Sequence, residues 1–201
     1  MTSRVTLISP AISAALREAR FDDGCPLDAA GLRLARSAAG TLTAVDRAWV
    51  SPAVRCRETA EALGLDAVPV PELTGLDTGR WRGAALAEVS AKEPEAVALW
   101  LADPTSAPHG GESVREFCDR IAAWLASAAR FEGRTVAVVD PEAVRAAVVR
   151  TLGAPDPAFW RIDVPPLTAT EFSGRSGRWN VRLGQPLGGA RPGAGRLPEP
   201  S

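Results

Sequence analysis

With 201 residues, 46% of them hydrophobic and 23% charged, the chain has the apolar material for a proper core and a length that suits one domain. Its 23 Lys and Arg against 24 Asp and Glu give a net charge of −1 with no long basic run, which argues against nucleic acid as a partner. No stretch approaches the ~20 uninterrupted apolar residues of a membrane span, and a strand starting at Val5 leaves no room for a signal peptide, so a cytoplasmic location without membrane contact is expected.

The first apolar run, Val5 to Ile8, reads as a strand ending at Ser9-Pro10-Ala11. PLDAAGLRLARSAAGTL follows, a helix capped by Asp28 with Ala29, Leu32, Leu34, Ala35 and Ala38 at helical spacing. DRAWV is a strand ending at Ser51, AVRCRETAEALG a helix closed by Gly64, and DAVPVP a short extended piece. PEAVALWLADP is helical between two prolines. GGESVREFCDRIAAWLASAARF carries the clearest helical signal: Ser113 and Glu116 form an S-x-x-E capping box, and Val114, Phe117, Cys118, Ile121, Leu125 and Ala128 make one apolar stripe. RTVAVVD is an unbroken apolar strand of the fully buried kind, followed by the helix PEAVRAAVVRTLG. LTATEFSG and RWNVRL read as a closing hairpin around Gly174 to Gly177. The tail from 187 to 201, rich in Gly and Pro, reads as disordered beyond a domain spanning 1–186.

Strands alternating with helices predict an α/β fold, a three-layer αβα sandwich with a mostly parallel central sheet and ligands at the carboxyl ends of its strands. Three of those ends share one shape, LISPA, WVSPA and VVDPE, in which Ser9, Ser51 and Asp140 can act as helix N-caps before a proline. The three cysteines, Cys25, Cys56 and Cys118, are odd in number and far apart, so neither a disulfide framework nor a metal site is expected, and nothing calls for a cofactor. The tryptophans Trp49, Trp100, Trp124 and Trp160 fall in apolar segments and read as packing residues.

The segments PLDAAGLRLA, SPAVRCRETAEALG, GRWRG, PHGGES followed by Arg120, and VAVVDPEAVRAAV occur in that order. They resemble the P-L-t-x-x-G-x-x-Q-A, S-P-x-x-R-x-x-Q-T-A, G-x-W-E-G, P-G-G-E-S…R and V-x-V-x-H-G-x-x-x-R segments of the histidine phosphatase superfamily, the phosphoglycerate-mutase-like fold. The resemblance covers roughly Val5 to Leu183. It implies covalent catalysis in which a histidine after the first strand takes up a phosphoryl group, a second histidine and two arginines hold the phosphate, and a carboxylic acid protonates the leaving oxygen.

Carried over position by position, most of that apparatus has no counterpart. Ser9 stands where the first arginine belongs and Pro10 in place of the nucleophile; Asp140 takes the second histidine's position when Arg145 anchors the alignment. Gly75 falls about where the acid belongs, with Glu72 and Asp77 nearby, and Arg55 survives as a phosphate ligand. His109 is the sole histidine, in a loop that the resemblance puts near the pocket mouth, and Trp81 lies in the turn that would line its entrance. Asp140 is expected to face Arg55, as an internal ion pair or as an N-cap. Two readings follow. One is a pseudophosphatase binding a small metabolite or a protein partner, compatible with a homodimer. The other is a repurposed enzyme in which Asp140 acts as acid or base and Arg55 holds an anionic group, with Ser9, Ser13 and His109 supplying hydrogen bonds.

Overall fold

The computed structural model describes residues 3–42, 45–175 and 178–188. In chain order these form β1 (Ser3–Ile8), α1 (Ala14–Arg17), α2 (Ala29–Ser37), β2 (Arg47–Val50), α3 (Val54–Ala62) and β3 (Val68–Pro69). After 3-10 turns at Pro71–Leu73 and Gly79–Trp81 come α4 (Leu86–Lys92), α5 (Pro94–Ala102), α6 (Val114–Ala128), β4 (Gly133–Val138) and α7 (Pro141–Leu152). A 3-10 segment, Asp156–Arg161, leads to β5 (Thr168–Arg175) and β6 (Arg178–Pro186). The six strands make one sheet in the order β3-β2-β4-β1-β5-β6. β3, β2, β4 and β1 run parallel, and β5 is antiparallel to both β1 and β6.

The two faces of the sheet follow from the alternation of side chains along its central strands. Val5, Leu7 and Ala137 point into a core shared with α6 and α7, where Phe117, Ile121, Val144 and Val148 are buried. Ile8, Val136 and Val138 point the other way, against Cys56 and Ala60 of α3 and Leu63 at its C-cap. This is the expected three-layer sandwich, and it explains why RTVAVVD is apolar at consecutive positions: both faces of β4 are covered.

Local chemistry sets the helix starts. Asp28 accepts a hydrogen bond from the Gly31 amide at 2.6 Å, capping α2. A Cβ on Gly31 would lie 2.2 Å from the Ile12 carbonyl oxygen, so only glycine lets α2 approach the β1–α1 connection this closely. The capping box of α6 forms reciprocally: Ser113 Oγ accepts from the Glu116 amide at 3.2 Å, and Glu116 Oε2 accepts from the Ser113 amide at 2.9 Å. α7 closes at Gly153, whose φ is +61°.

The shared cap reading of the three strand ends needs correction. Ser9 Oγ donates to the Pro165 carbonyl at 2.6 Å and accepts from the Thr168 amide at 3.0 Å, so it clasps β1 to the loop before β5 and starts no helix. Ser51 Oγ accepts from the Ala53 amide at 3.3 Å, but the N-cap position of α3 is Ala53. Asp140 does occupy the N-cap position of α7, yet its side chain caps no amide. Helices α1 and α4 were not expected. The closing hairpin forms, pairing Arg175 with Arg178, while residues 176 and 177 of its turn lie outside the described residues. The Leu187 amide donates to the Leu167 carbonyl at 2.9 Å, so the domain reaches at least that far, and 189–201 lie outside the described residues. Among the described residues, no helix is long and apolar enough to cross a membrane.

Candidate functional site

The sheet order places the carboxyl ends of β2, β4 and β1 side by side, so Ser51, Asp140 and Pro10 meet at one edge of the molecule. Asp140 is fully buried. Arg55, from the first turn of α3, reaches it with both Nε and Nη2 at 2.7 Å from Oδ1, and its Nη1 lies 2.6 Å from Asp22 Oδ1. Ser51 Oγ donates to Asp140 Oδ2 at 3.3 Å, and Cys56 Sγ donates to Oδ1 at 3.4 Å. Every nitrogen of the Arg55 guanidinium is therefore engaged by a carboxylate of this chain. Burial works against the Arg55 cation, but Asp140 and Asp22 outweigh it and raise its pKa. Burial, reinforced by Asp140, drives the Cys56 thiol far above its ordinary range, which leaves it inert as a nucleophile at neutral pH.

Gly75 presses on the same carboxylate. A Cβ there would stand 2.8 Å from Asp140 Oδ2, so no larger residue fits at this position while Asp140 keeps its place.

Beside the ion pair opens a cavity of about 940 Å³, within the size range of small-molecule sites. Arg55, Asp22, Glu142 and Arg145 line it together with Arg20, Asp77 and Arg82, and Leu76, Val97, Trp100 and Trp160 supply apolar wall. Burial raises the pKa of Glu142, and the neighbouring Asp140 adds to the effect.

The residues expected at the site divide in two. Arg55 and Ser13 line the cavity, with Asp140 immediately behind Arg55. Ser13 Oγ is already engaged, accepting from the Leu16 amide at 3.4 Å as the cap of α1. Ser9, Trp81 and His109 are not among the lining residues. Ser9 is consumed by its clasp to Pro165 and Thr168. Trp81 is 1% exposed, its ring packed against Phe21, Trp100 and His109, and its indole N–H donates to Glu93 Oε1 at 3.3 Å. His109 is likewise 1% exposed, edge-on to Trp81 and Trp100, with Nδ1 accepting from the Gly111 amide at 3.0 Å. An aromatic cluster behind the cavity wall has taken both rings. Asp22 and Glu142 were not anticipated. Asp22 sits in a loop without any motif, and Glu142 reads in sequence as an ordinary first-turn acid of α7.

Burial holds the His109 pKa below the ordinary histidine value, so the ring is neutral in the folded protein at neutral pH. The unfolded chain then takes up the proton first. The stabilisation is complete above the unfolded value of about 6.5 and is lost as pH falls toward and through the depressed folded value. Urea midpoints measured from about pH 7.5 to about pH 5 should therefore decline, and His109→Phe should flatten that decline.

Residues 14–185 match the sequence profile of the histidine phosphatase superfamily (branch 1). The chain belongs to this superfamily. A bifunctional protein of Mycobacterium tuberculosis (strain ATCC 25618 / H37Rv) is 33% identical across 78% of this chain and 46% of its own length, so the chain spans less than half of that relative. Among solved structures, a mycobacterial glucosyl-3-phosphoglycerate phosphatase in complex with VO3 superposes with a TM-score of 0.81 at 24% identity, covering 91% of this chain and 98% of that one. A putative alpha-ribazole-5'-P phosphatase from Escherichia coli (str. K-12 substr. MG1655) gives 0.80 at 21% identity, covering 94% and 99%. Both likenesses establish the fold. In this member of the superfamily, β1 runs into Ser9-Pro10 and β4 leads to Asp140-Pro141.

Proposed function

We propose that this member of the superfamily performs no phosphohistidine chemistry and serves as a binding protein for a small metabolite held in the cavity beside Arg55. The observation that carries this reading is the occupation of Arg55: its guanidinium donors are spent on Asp140 and Asp22. A phosphate arriving there must displace two carboxylates and then sit beside them, at a repulsion of roughly 4 kcal/mol per unit-charge pair at 4 Å in an effective dielectric of about 20. Proline at position 10 has no nitrogen lone pair to offer phosphorus, and the single histidine is locked in the aromatic cluster.

The test is direct. Incubation with p-nitrophenyl phosphate should release no inorganic phosphate above a buffer control, and orthovanadate should leave the melting temperature unchanged. Intact-mass measurement of a phosphorylated side chain during turnover of a monoester would overturn the reading.

One observation favours a second reading, an enzyme of non-phosphoryl acid–base chemistry. Glu142 lines the cavity with a raised pKa, the condition of a general acid. Asp140, enclosed and paired, is poorly placed for that role, so the acid–base function of this alternative moves to Glu142. Depletion of a compound from a metabolite extract by the wild-type chain but not by Glu142→Gln would favour it over simple binding.

A further inference from the structure

The cavity wall contains two groups that the ion pair does not use. Glu142 and Arg145 stand one helical turn apart on α7, and both line the cavity. Glu142 Oε2 and Arg145 Nε are buried polar atoms without a hydrogen-bond partner in the protein. No ion pair joins the two residues among the described ones, and the Arg145 guanidinium lies 6.0 Å from the Phe159 ring centre. Buried polar groups are normally satisfied, and a pair left open on one wall of a cavity marks where a ligand's polar atoms belong.

The surrounding charges narrow the ligand further. Asp140 and Asp22 occupy every nitrogen of the Arg55 guanidinium, so a phosphate or another dianion finds no free donor there. With Arg20, Asp77 and Arg82, which also line the cavity, and Asp140 behind it, four arginines stand against four carboxylates. Arg145 and Glu142 balance each other in sign, so neither a cationic nor an anionic head satisfies both. A head with an acceptor for the guanidinium and a donor for the carboxyl group does. Leu76, Val97, Trp100 and Trp160 offer an apolar and aromatic surface.

Building on the metabolite-binding reading above, we propose that the cavity takes a small organic molecule of no net charge. Its amide-like head bridges Arg145 and Glu142, and its aromatic or hydrocarbon body lies against Trp100 and Trp160.

Calorimetric titration of the full chain with four probes that share a phenyl body tests this: phenylacetamide, phenylacetate, phenethylammonium and phenyl phosphate. Phenylacetamide should bind saturably, and the three charged probes should bind about tenfold more weakly or worse. Glu142→Leu and Arg145→Leu should each weaken phenylacetamide by about tenfold, whereas Glu142→Gln, which retains a donor and an acceptor, should bind it nearly as the wild type does. Circular dichroism and melting of each variant separate lost binding from lost folding. Equal or tighter binding of phenylacetate or phenethylammonium overturns the assigned head while leaving a metabolite cavity in place. Failure of all four probes to saturate, or an amide affinity indifferent to both leucine variants, overturns the inference. Tightest binding by phenyl phosphate overturns the inference and the proposed function together.

Discussion

Replacing Asp140 with alanine should destabilise the fold by about 3–5 kcal/mol, the usual result of removing one partner from a buried ion pair. The effect should appear as a lower urea midpoint at unchanged slope. Asp140 is fully buried, and the Arg55 side chain is 14% exposed, so the cation left behind has little water to replace its lost partner. Asp22 remains on Nη1, but Nε and Nη2 lose theirs together with the acceptor of the Ser51 hydroxyl. Asp140→Asn should cost less, because it keeps the shape and one acceptor while losing the charge. A second substitution makes the geometry testable. Gly75 does not have a positive φ, so Gly75→Ala carries a purely steric cost, that of moving a pinned carboxylate 2.8 Å away. We expect about 1–3 kcal/mol in the wild type and close to nothing once position 140 is alanine, so the cycle should be strongly non-additive. Additive costs would show that Gly75 and Asp140 do not share this contact.

Trp81→Ala should be comparably damaging, at about 3–5 kcal/mol. The ring sits between Phe21 at 5.6 Å, Trp100 at 5.5 Å and His109 at 5.0 Å, all measured between centroids, and almost none of it meets solvent. Removing it opens a void behind two rings that line the cavity, so ligand binding should fall along with stability. Trp81→Phe keeps an aromatic ring but loses the indole N–H that donates to Glu93, and should cost a smaller share. Chemical denaturation of both variants, with near-ultraviolet circular dichroism to follow the aromatic cluster, checks the ranking. A Trp81→Ala protein as stable as the wild type would return Trp81 to a place at the cavity mouth.

The layout of the fold was legible because its central strands and long helices obey simple periodicities. RTVAVVD is apolar on both faces, and the stripe of α6 is announced by its capping box. Helices α1 and α4, of four and seven residues, are too short for periodicity to declare them. The Arg55–Asp140 pair was legible because the shared motif order put the two residues at neighbouring strand ends. What could not be read were choices made by distant partners. The Ser9 hydroxyl prefers a carbonyl 156 positions away to the amides just ahead of it. Asp22 reaches Arg55 from a loop with no signature, and the burial of Trp81 and His109 depends on Phe21 and Trp100 arriving from separate segments. The role of Glu142 emerges only once its helix is set against the cavity, since beside Asp140 and Pro141 it looks like a routine acidic residue near a helix start.

The contact between position 75 and the carboxylate behind it also dictates a history. A side chain larger than hydrogen at 75 carries its full steric cost while Asp140 stands behind it, whereas a change at 140 first creates room. Laboratory evolution that introduces an acid at 75 should therefore favour a change at 140 first and pass less readily through the reverse order, a directional bias built from a single missing methyl group.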